Sequence, residues 1–122
     1  MENKYKLGES DTRPWGKWKV TKIGEGFIEK EITVNPGEIL SLQRHNHREE
    51  EWTIKKGSGH ITLEGRRYPV KAGDVFQIPL GAWHRIENSG KTLLVFHETQ
   101  RGEILDENDI ERKDDKYNRQ ES

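Results

Sequence analysis

Residues 41–52 read SLQRHNHREEEW, placing an amide, two imidazoles and three carboxylates within one short stretch. These are the side chains that bind divalent cations or carry protons. If the segment is a strand, successive side chains alternate between its faces. Ser41, Gln43, His45 and His47 then project to one side, and Leu42, Arg44 and Asn46 to the other. Glu50 lies an odd number of residues beyond His47, so the chain must bend or bulge between them. A turn at Arg48–Glu50 would begin a new strand in which Glu50, Trp52 and Ile54 share a face and Glu51 goes with Thr53. Parity therefore favours Glu50 over Glu51 as a fourth polar group beside Gln43, His45 and His47. Taken singly, each of these side chains could equally be a solvated surface residue.

The rest of the chain must supply the scaffold that positions this stretch. Short β-type runs punctuated by turn residues fill the middle. GFIEKEITVNPG alternates Ile28, Ile32 and Val34 against charged neighbours and stops at Pro36-Gly37, a turn pair. ILSLQRHNH, EWTIKKGSG and HITLEGRRYPV follow, the last with Glu64-Gly65 suited to a hairpin turn. DVFQIPLGAWHRIENSG adds a strand, a turn over Pro79–Gly81 and a second short strand, and KTLLVFHE completes the series. Short strands at this spacing with no helical period between them predict an all-β sandwich or barrel. The barrel core is expected over about residues 20–100, with an N-terminal arm over 1–19 and a charged tail over 101–122. Twelve of the twenty residues from Glu103 to Ser122 are charged. Ile104, Leu105 and Ile110 could anchor about one helical turn there, so a short, partly helical tail is expected.

Composition limits what this scaffold can bind. The 122 residues suit one domain. With 30% hydrophobic and 35% charged residues, the core must be lean. Lys plus Arg (21) nearly balances Asp plus Glu (22), for a formal charge of −1. That balance argues against general binding to nucleic acid or to an anionic membrane. A small phosphorylated ligand needs only two or three well-placed cations and remains compatible. The absence of cysteine removes disulfides and thiolate sites. No apolar run approaches the length of a membrane span, and the first residues, MENKYKLGESD, lack the apolar segment of a secretion signal. A soluble cytoplasmic protein is the expectation.

Two longer spacings give the stretch a context. Gly37 is followed after five residues by Gln43, then His45, then after four by Glu50 and after six by Gly57. Gly73, Pro79, Gly81, His84 and Asn88 form a second series with gaps of five, one, two and three. These resemble the two motifs of the cupins, double-stranded β-helix jelly rolls, with glutamine where many members have their first histidine. The resemblance implies Gln43, His45, Glu50 and His84 as ligands of one divalent ion. Imidazole, carboxylate and amide together suit a borderline cation such as Zn, Mn, Fe or Ni. His47 becomes a fifth ligand or an acid/base neighbour.

More of the chain is similar to one cupin branch, the type II mannose-6-phosphate isomerase domain that is often fused behind a mannose-1-phosphate guanylyltransferase. The similarity runs through RPWGKW (13–18), Lys30 with ITVNPG, LSLQRHNHREEEW and IPLGAWHRIEN (78–88), and into the tail at Gln100, Gly102, Asp109-Ile110, Arg112, Tyr117 and Arg119. Ile104, Asp106, Glu111 and Asn118 depart from that pattern. The resemblance implies an aldose–ketose isomerase interconverting mannose 6-phosphate and fructose 6-phosphate, feeding GDP-mannose and polysaccharide synthesis. Catalysis would need a base to shuttle a proton between C1 and C2, for which His47 is the first candidate and Glu87 the second. Arg13, Lys30, Arg48 and Arg85 could hold the sugar phosphate, with Arg112 or Arg119 reaching over from the tail. No resemblance to the glycine-rich start of the nucleotidyltransferase is present, so this chain alone is not expected to transfer a nucleotide. The alternative is a non-catalytic cupin that binds a sugar phosphate or sugar nucleotide beside a separate guanylyltransferase. A metal cupin acting on some other small molecule is a third candidate, because one fold hosts many chemistries. The cupin resemblance also allows a homodimer through exposed edge strands.

Overall fold

A computed structural model of the chain describes residues 2–116. Among these residues there are thirteen strands and no helix, hence no helix long and apolar enough to cross a membrane. In chain order the first strands are β1 (Glu2–Asn3), β2 (Ser10–Arg13), β3 (Gly16–Gly24), β4 (Phe27–Val34) and β5 (Leu42–Arg44). Next come β6 (Arg48–Lys56), β7 (Ser58–Leu63), β8 (Arg66–Lys71) and β9 (Val75–Ile78). The last are β10 (His84–Glu87), β11 (Leu94–Gly102), β12 (Ile104–Leu105) and β13 (Glu111–Asp114).

They form a six-stranded sheet ordered β2-β3-β4-β11-β6-β9 and a five-stranded sheet ordered β13-β5-β10-β7-β8. β1 and β12 pair in parallel. From β4 to β7 and again from β8 to β11 successive strands alternate between the two sheets, whereas β2-β3-β4 and β7-β8 are neighbours within one, as in a jelly roll. The inner faces enclose a core that includes Val20, Ile28, Ile32, Val34, Trp52, Ile54, Ile61, Ile86, Leu94 and Phe96.

The long strands follow the period-2 rule. β4 buries Ile28, Lys30, Ile32 and Val34; β6 buries Arg48, Glu50, Trp52 and Ile54; β11 buries Leu94, Phe96, Glu98 and Gln100. Each fully buried aliphatic or aromatic side chain contributes about 1.5–3 kcal/mol. The β7–β8 hairpin turns at Glu64-Gly65, both with positive φ (47° and 81°), as a two-residue turn matched to strand twist requires. Gly57, between β6 and β7, also has positive φ, and a Cβ there would lie 2.4 Å from the carbonyl oxygen of Leu93. Only glycine fits.

Two expectations need correction at the ends of the chain. The described part of the tail, residues 101–116, contains no helix: Ile104–Leu105 forms β12, and Glu111–Asp114 adds β13 to the edge of β5. One isolated helical turn cannot repay its nucleation, whereas β1 and β5 offer hydrogen-bonding edges. The N-terminal arm likewise merges with the barrel, because Gly16 to Lys19 lies within β3 and pairs with β4. Tyr117, Asn118 and Arg119 lie outside the described residues.

Candidate metal centre and adjoining cleft

The two motifs meet inside one end of the barrel. β5 ends at Arg44, the chain bends across Asn46 and His47, and β6 restarts at Arg48. The break moves the inward register onto Arg48 and Glu50, so Glu50 faces inside with Trp52, as parity demands. On the opposite sheet His84 opens β10, buried, with its Cα registered against both Gln43 and Leu63. The turn before β10 is tied to the first motif by Gly81, whose N–H donates to the carbonyl of His45 at 2.9 Å.

His45, Glu50 and His84 are all buried, and one donor atom from each lies within 4.8 Å of the others. Glu50 Oε2 is 3.3 Å from His45 Nε2, and Glu50 Oε1 is 3.9 Å from His84 Nε2. Ligands about 2.0–2.3 Å from one ion stand roughly 3–4.5 Å from each other, so the spacing fits. The imidazoles are oriented from behind. His45 Nδ1 meets the carbonyl of Asp109 at 2.7 Å, and His84 Nδ1 that of Ala82 at 2.9 Å. A carbonyl can only accept, so both Nδ1 atoms carry hydrogen and both Nε2 atoms present lone pairs to the cluster. Fixing the tautomer through the far ring nitrogen is how metal-ligating histidines are held.

Electrostatics prepares the same donor set. Burial lowers the His45 imidazole to about 4 and lowers His84 in the same sense, so both are neutral at neutral pH. Burial pushes the Glu50 carboxyl up, but His45, Arg48 and His84 outweigh it and hold it well below the usual carboxylate range. Trp52 Nε1 donates to Glu50 Oε1 and Arg48 Nε to Oε2, each at 2.8 Å. The Arg48 guanidinium also comes within 3.3 Å of His45 Nε2. Two neutral imidazoles and an ionised carboxylate suit a borderline divalent cation.

Gln43 donates its amide to Ser41 Oγ at 3.2 Å and, with Arg48, lines an adjoining cleft that also takes in Arg13, Trp18, Lys30, Glu98, Glu107 and Arg112. Of the four cations expected to hold a sugar phosphate, Arg13, Lys30 and Arg48 come together here. Arg85 does not: it faces outward, donating to the Leu40 carbonyl and pairing with Asp114 at 2.9 Å. Glu87 also faces outward and pairs with Arg67 at 2.9 Å. His47 is exposed and lines a separate surface hollow with Asn46, Ile104 and Asp109. The bend after β5 ends the alternation that would have kept it beside His45.

Several residues here were not anticipated as site residues. Glu98 is buried on β11 between Lys30 and Trp52, and burial, with Glu50 adding to it, raises its carboxyl to about 8. Its hydrogen-bond donor is the amide of Gln100. The inward series Leu94, Phe96, Glu98, Gln100 could have located it by period 2 alone. Asp109 accepts from the N–H groups of Asn46 and His47 at 2.9 and 3.0 Å, besides holding His45. No local pattern announces that role across more than sixty residues.

A two-sheet β-barrel with a buried His-Glu-His cluster is a cupin. The fold resembles the cupin domain of Cnp3 from Schizosaccharomyces pombe, with a TM-score of 0.68 and 20% identity over 71% of this chain and 64% of that one. Residues 2–115 match the family described as mannose-6-phosphate isomerase C-terminal, and the chain belongs to that family. It is 42% identical over 107 residues to the mannose-1-phosphate guanylyltransferase ManC of Salmonella typhimurium, covering 88% of this chain and 22% of that protein. The alginate biosynthesis protein AlgA of Pseudomonas aeruginosa is 40% identical over 107 residues, with the same shares of each chain. The chain thus spans about a fifth of the length of these relatives.

Proposed function

We propose that this chain is a metal-dependent aldose–ketose isomerase interconverting mannose 6-phosphate and fructose 6-phosphate. The observation that carries this reading is a buried His45–Glu50–His84 cluster beside a cleft whose wall holds Arg13, Lys30 and Arg48. His45, Glu50 and His84 would hold one Zn, Mn, Fe or Ni ion. Gln43 is the proposed fourth ligand: with its NH2 committed to Ser41, its carbonyl oxygen is the end left for a cation. When bound, such an ion supplies a Lewis acid that polarises a carbonyl or hydroxyl oxygen.

The remaining work falls to the protein's own groups. Arg13 and Lys30 bind the phosphate as charge-assisted donors, and Arg48 keeps Glu50 ionised. Glu98, buried in the cleft wall and shifted toward neutrality, takes the proton from C2 and returns it to C1, since a transfer group works best with its pKa near the working pH. The hydroxyl proton passes in the same sense, from O2 to O1 as the carbon-bound proton goes from C2 to C1, so the sugar gains and loses nothing. In this scheme Glu98 stands where His47 and Glu87 were expected, because neither of those faces the cluster. Similarity to guanylyltransferase and alginate biosynthesis proteins supports a role in supplying mannose phosphates for GDP-mannose and polysaccharide synthesis.

A second reading, a sugar-phosphate binder that works beside a separate guanylyltransferase, is favoured by one observation: Glu107 already pairs with the cleft's Lys30 at 2.6 Å. The test is an isomerase assay on chelated protein with Zn, Mn, Fe(II) or Ni restored one at a time. Turnover that depends on the metal supports the isomerase. Binding of mannose 6-phosphate without turnover in any metal replaces it with the second reading.

A further inference from the structure

Lys30 is the most enclosed cation of the cleft. Its side chain is 4% exposed, and its Nζ lies 4.1 Å from the ring centre of Trp18 and 4.5 Å from that of Tyr5. It sits mid-strand in β4, flanked by β3 and β11, so the charge is a fixed part of the barrel wall. Its counter-ion is of another kind. Glu107 belongs to the irregular segment between β12 and β13, and its side chain is 37% exposed. One carboxylate accepts from Lys30 at 2.6 Å and from the Tyr5 hydroxyl, and approaches Arg13 at 3.7 Å.

Three further features make this carboxylate look like an occupant rather than a wall. Arg13, Lys30, Arg48 and Arg112 all line the cleft, with Glu98 and Glu107, and Arg13 and Arg48 also pair with Asp11 and Glu50 at 3.2 and 2.8 Å, so the lining concentrates cations held from several elements. The indole N–H of Trp18, in the same lining, is buried without an acceptor among the described residues. Lastly, Arg13, Glu107, Ile110 and Arg112 line both this cleft and a second hollow outside it. Glu107 therefore stands in the partition, and moving its side chain would join the two spaces.

We propose that Glu107 is an internal stand-in for a phosphate group: it occupies an anion subsite formed by Lys30, Arg13 and Tyr5, and an incoming phosphate must displace it. This subsite belongs to the function proposed above, but its test does not depend on turnover. The competing role for Glu107 is to hold Lys30 in place, and the two roles predict opposite signs. A competitor weakens anion binding by its presence; a positioning residue strengthens it.

The experiment is calorimetric titration of the full chain with inorganic phosphate at constant ionic strength, for the wild type, Glu107→Gln and Lys30→Met, with thermal melts to verify folding. Glu107→Gln is expected to bind phosphate at least tenfold more tightly than the wild type, and Lys30→Met to lose binding. Unchanged or weaker binding by Glu107→Gln overturns the proposal, as does a failure of both proteins to bind phosphate. Should Glu107→Gln not fold, Glu107→Ala carries the test by removing the carboxylate while leaving every donor of the subsite in place. Tighter phosphate binding by Glu107→Ala supports displacement, and unchanged or weaker binding opposes it. A chain that binds phosphate in this pattern yet never turns over sugar would remove the isomerase and leave the subsite standing.

Discussion

The same strands build two unlike ends of the barrel. On β6 the inward positions run Arg48, Glu50, Trp52, Ile54, and on antiparallel β11 they run Leu94, Phe96, Glu98, Gln100. Register sets Ile54 against Phe96 at one end and Glu50 against Gln100 at the other. β10 repeats the division, with His84 toward the cluster and Ile86 toward the apolar core. Backbone pairing continues through both ends, so the ladder itself does not discriminate between them. What differs is how each end meets the demand of burial. The apolar end needs only contact, whereas every charge at the polar end needs a partner to offset its desolvation. That demand accounts for the donors on Glu50 and the carbonyls behind His45 and His84. One end supplies stability that the other uses to hold buried polar groups in place.

The sharpest way to break this contrast is to cut each end separately. Phe96→Ala, at the apolar end, should lower the unfolding free energy by about 3–5 kcal/mol in urea titrations, while the folded fraction still binds one metal ion. Glu50→Gln should do the reverse, losing about a hundredfold or more in metal affinity, since even partners behind the ligands are worth 10–100-fold. Loss of metal in Phe96→Ala at temperatures where it is folded would show that the two ends are not separable.

A second expected effect is on the pH dependence of metal-free stability. Glu98 in the unfolded chain releases its proton near 4.5, but the native state holds it to about 8. Between those values the native state binds more protons, so the wild type loses stability as pH rises. Glu98→Gln does not titrate, and its stability relative to the wild type should climb from about pH 4.5 to about 8 and then level off. A difference that stays constant from pH 4 to 9 would mean that Glu98 is not held protonated.

Asp109→Asn should have a smaller consequence. It keeps the backbone carbonyl on His45 but weakens the acceptors that fix the Asn46–His47 bend. Metal affinity should fall by about tenfold, the lower range for outer partners, as read by competition with a chromophoric chelator. His47→Ala should do least, leaving metal content and turnover within about twofold, since loss of an exposed side chain away from such features changes little.

The division between the ends also explains which features were legible from residues alone. The glycines, Pro79 and Asn88 fall at turns and ties that any chain making these crossings must provide. Asn88, for instance, donates from its amide to the carbonyls of Val34 and Thr92, each at 2.8 Å. Such positions recur at set spacings, so they brought His45, Glu50 and His84 together on paper. Parity worked wherever a strand was continuous, as from Glu50 to Ile54, and failed where β5 stopped after three residues, which misplaced His47. Ile104 and Leu105 offered apolar side chains without revealing that β1, a hundred residues earlier, would pair with them. Glu107 and Asp109 were beyond reach for a related reason. Their partners Lys30, His45 and the 46–47 backbone are distant in sequence, and an irregular loop has no period from which to infer direction.

The proposed chemistry depends on one cation held by side chains from both sheets. X-ray absorption at the zinc edge, on protein loaded with one equivalent of Zn, would reveal such an ion's ligands. One bound ion per chain is expected, with two imidazole donors and carboxylate oxygen at about 2.0–2.2 Å, and the double variant His45→Ala, His84→Ala should lose the imidazole signal together with the ion. A first coordination sphere without imidazole, or an ion that the double variant retains with an unchanged spectrum, would contradict it.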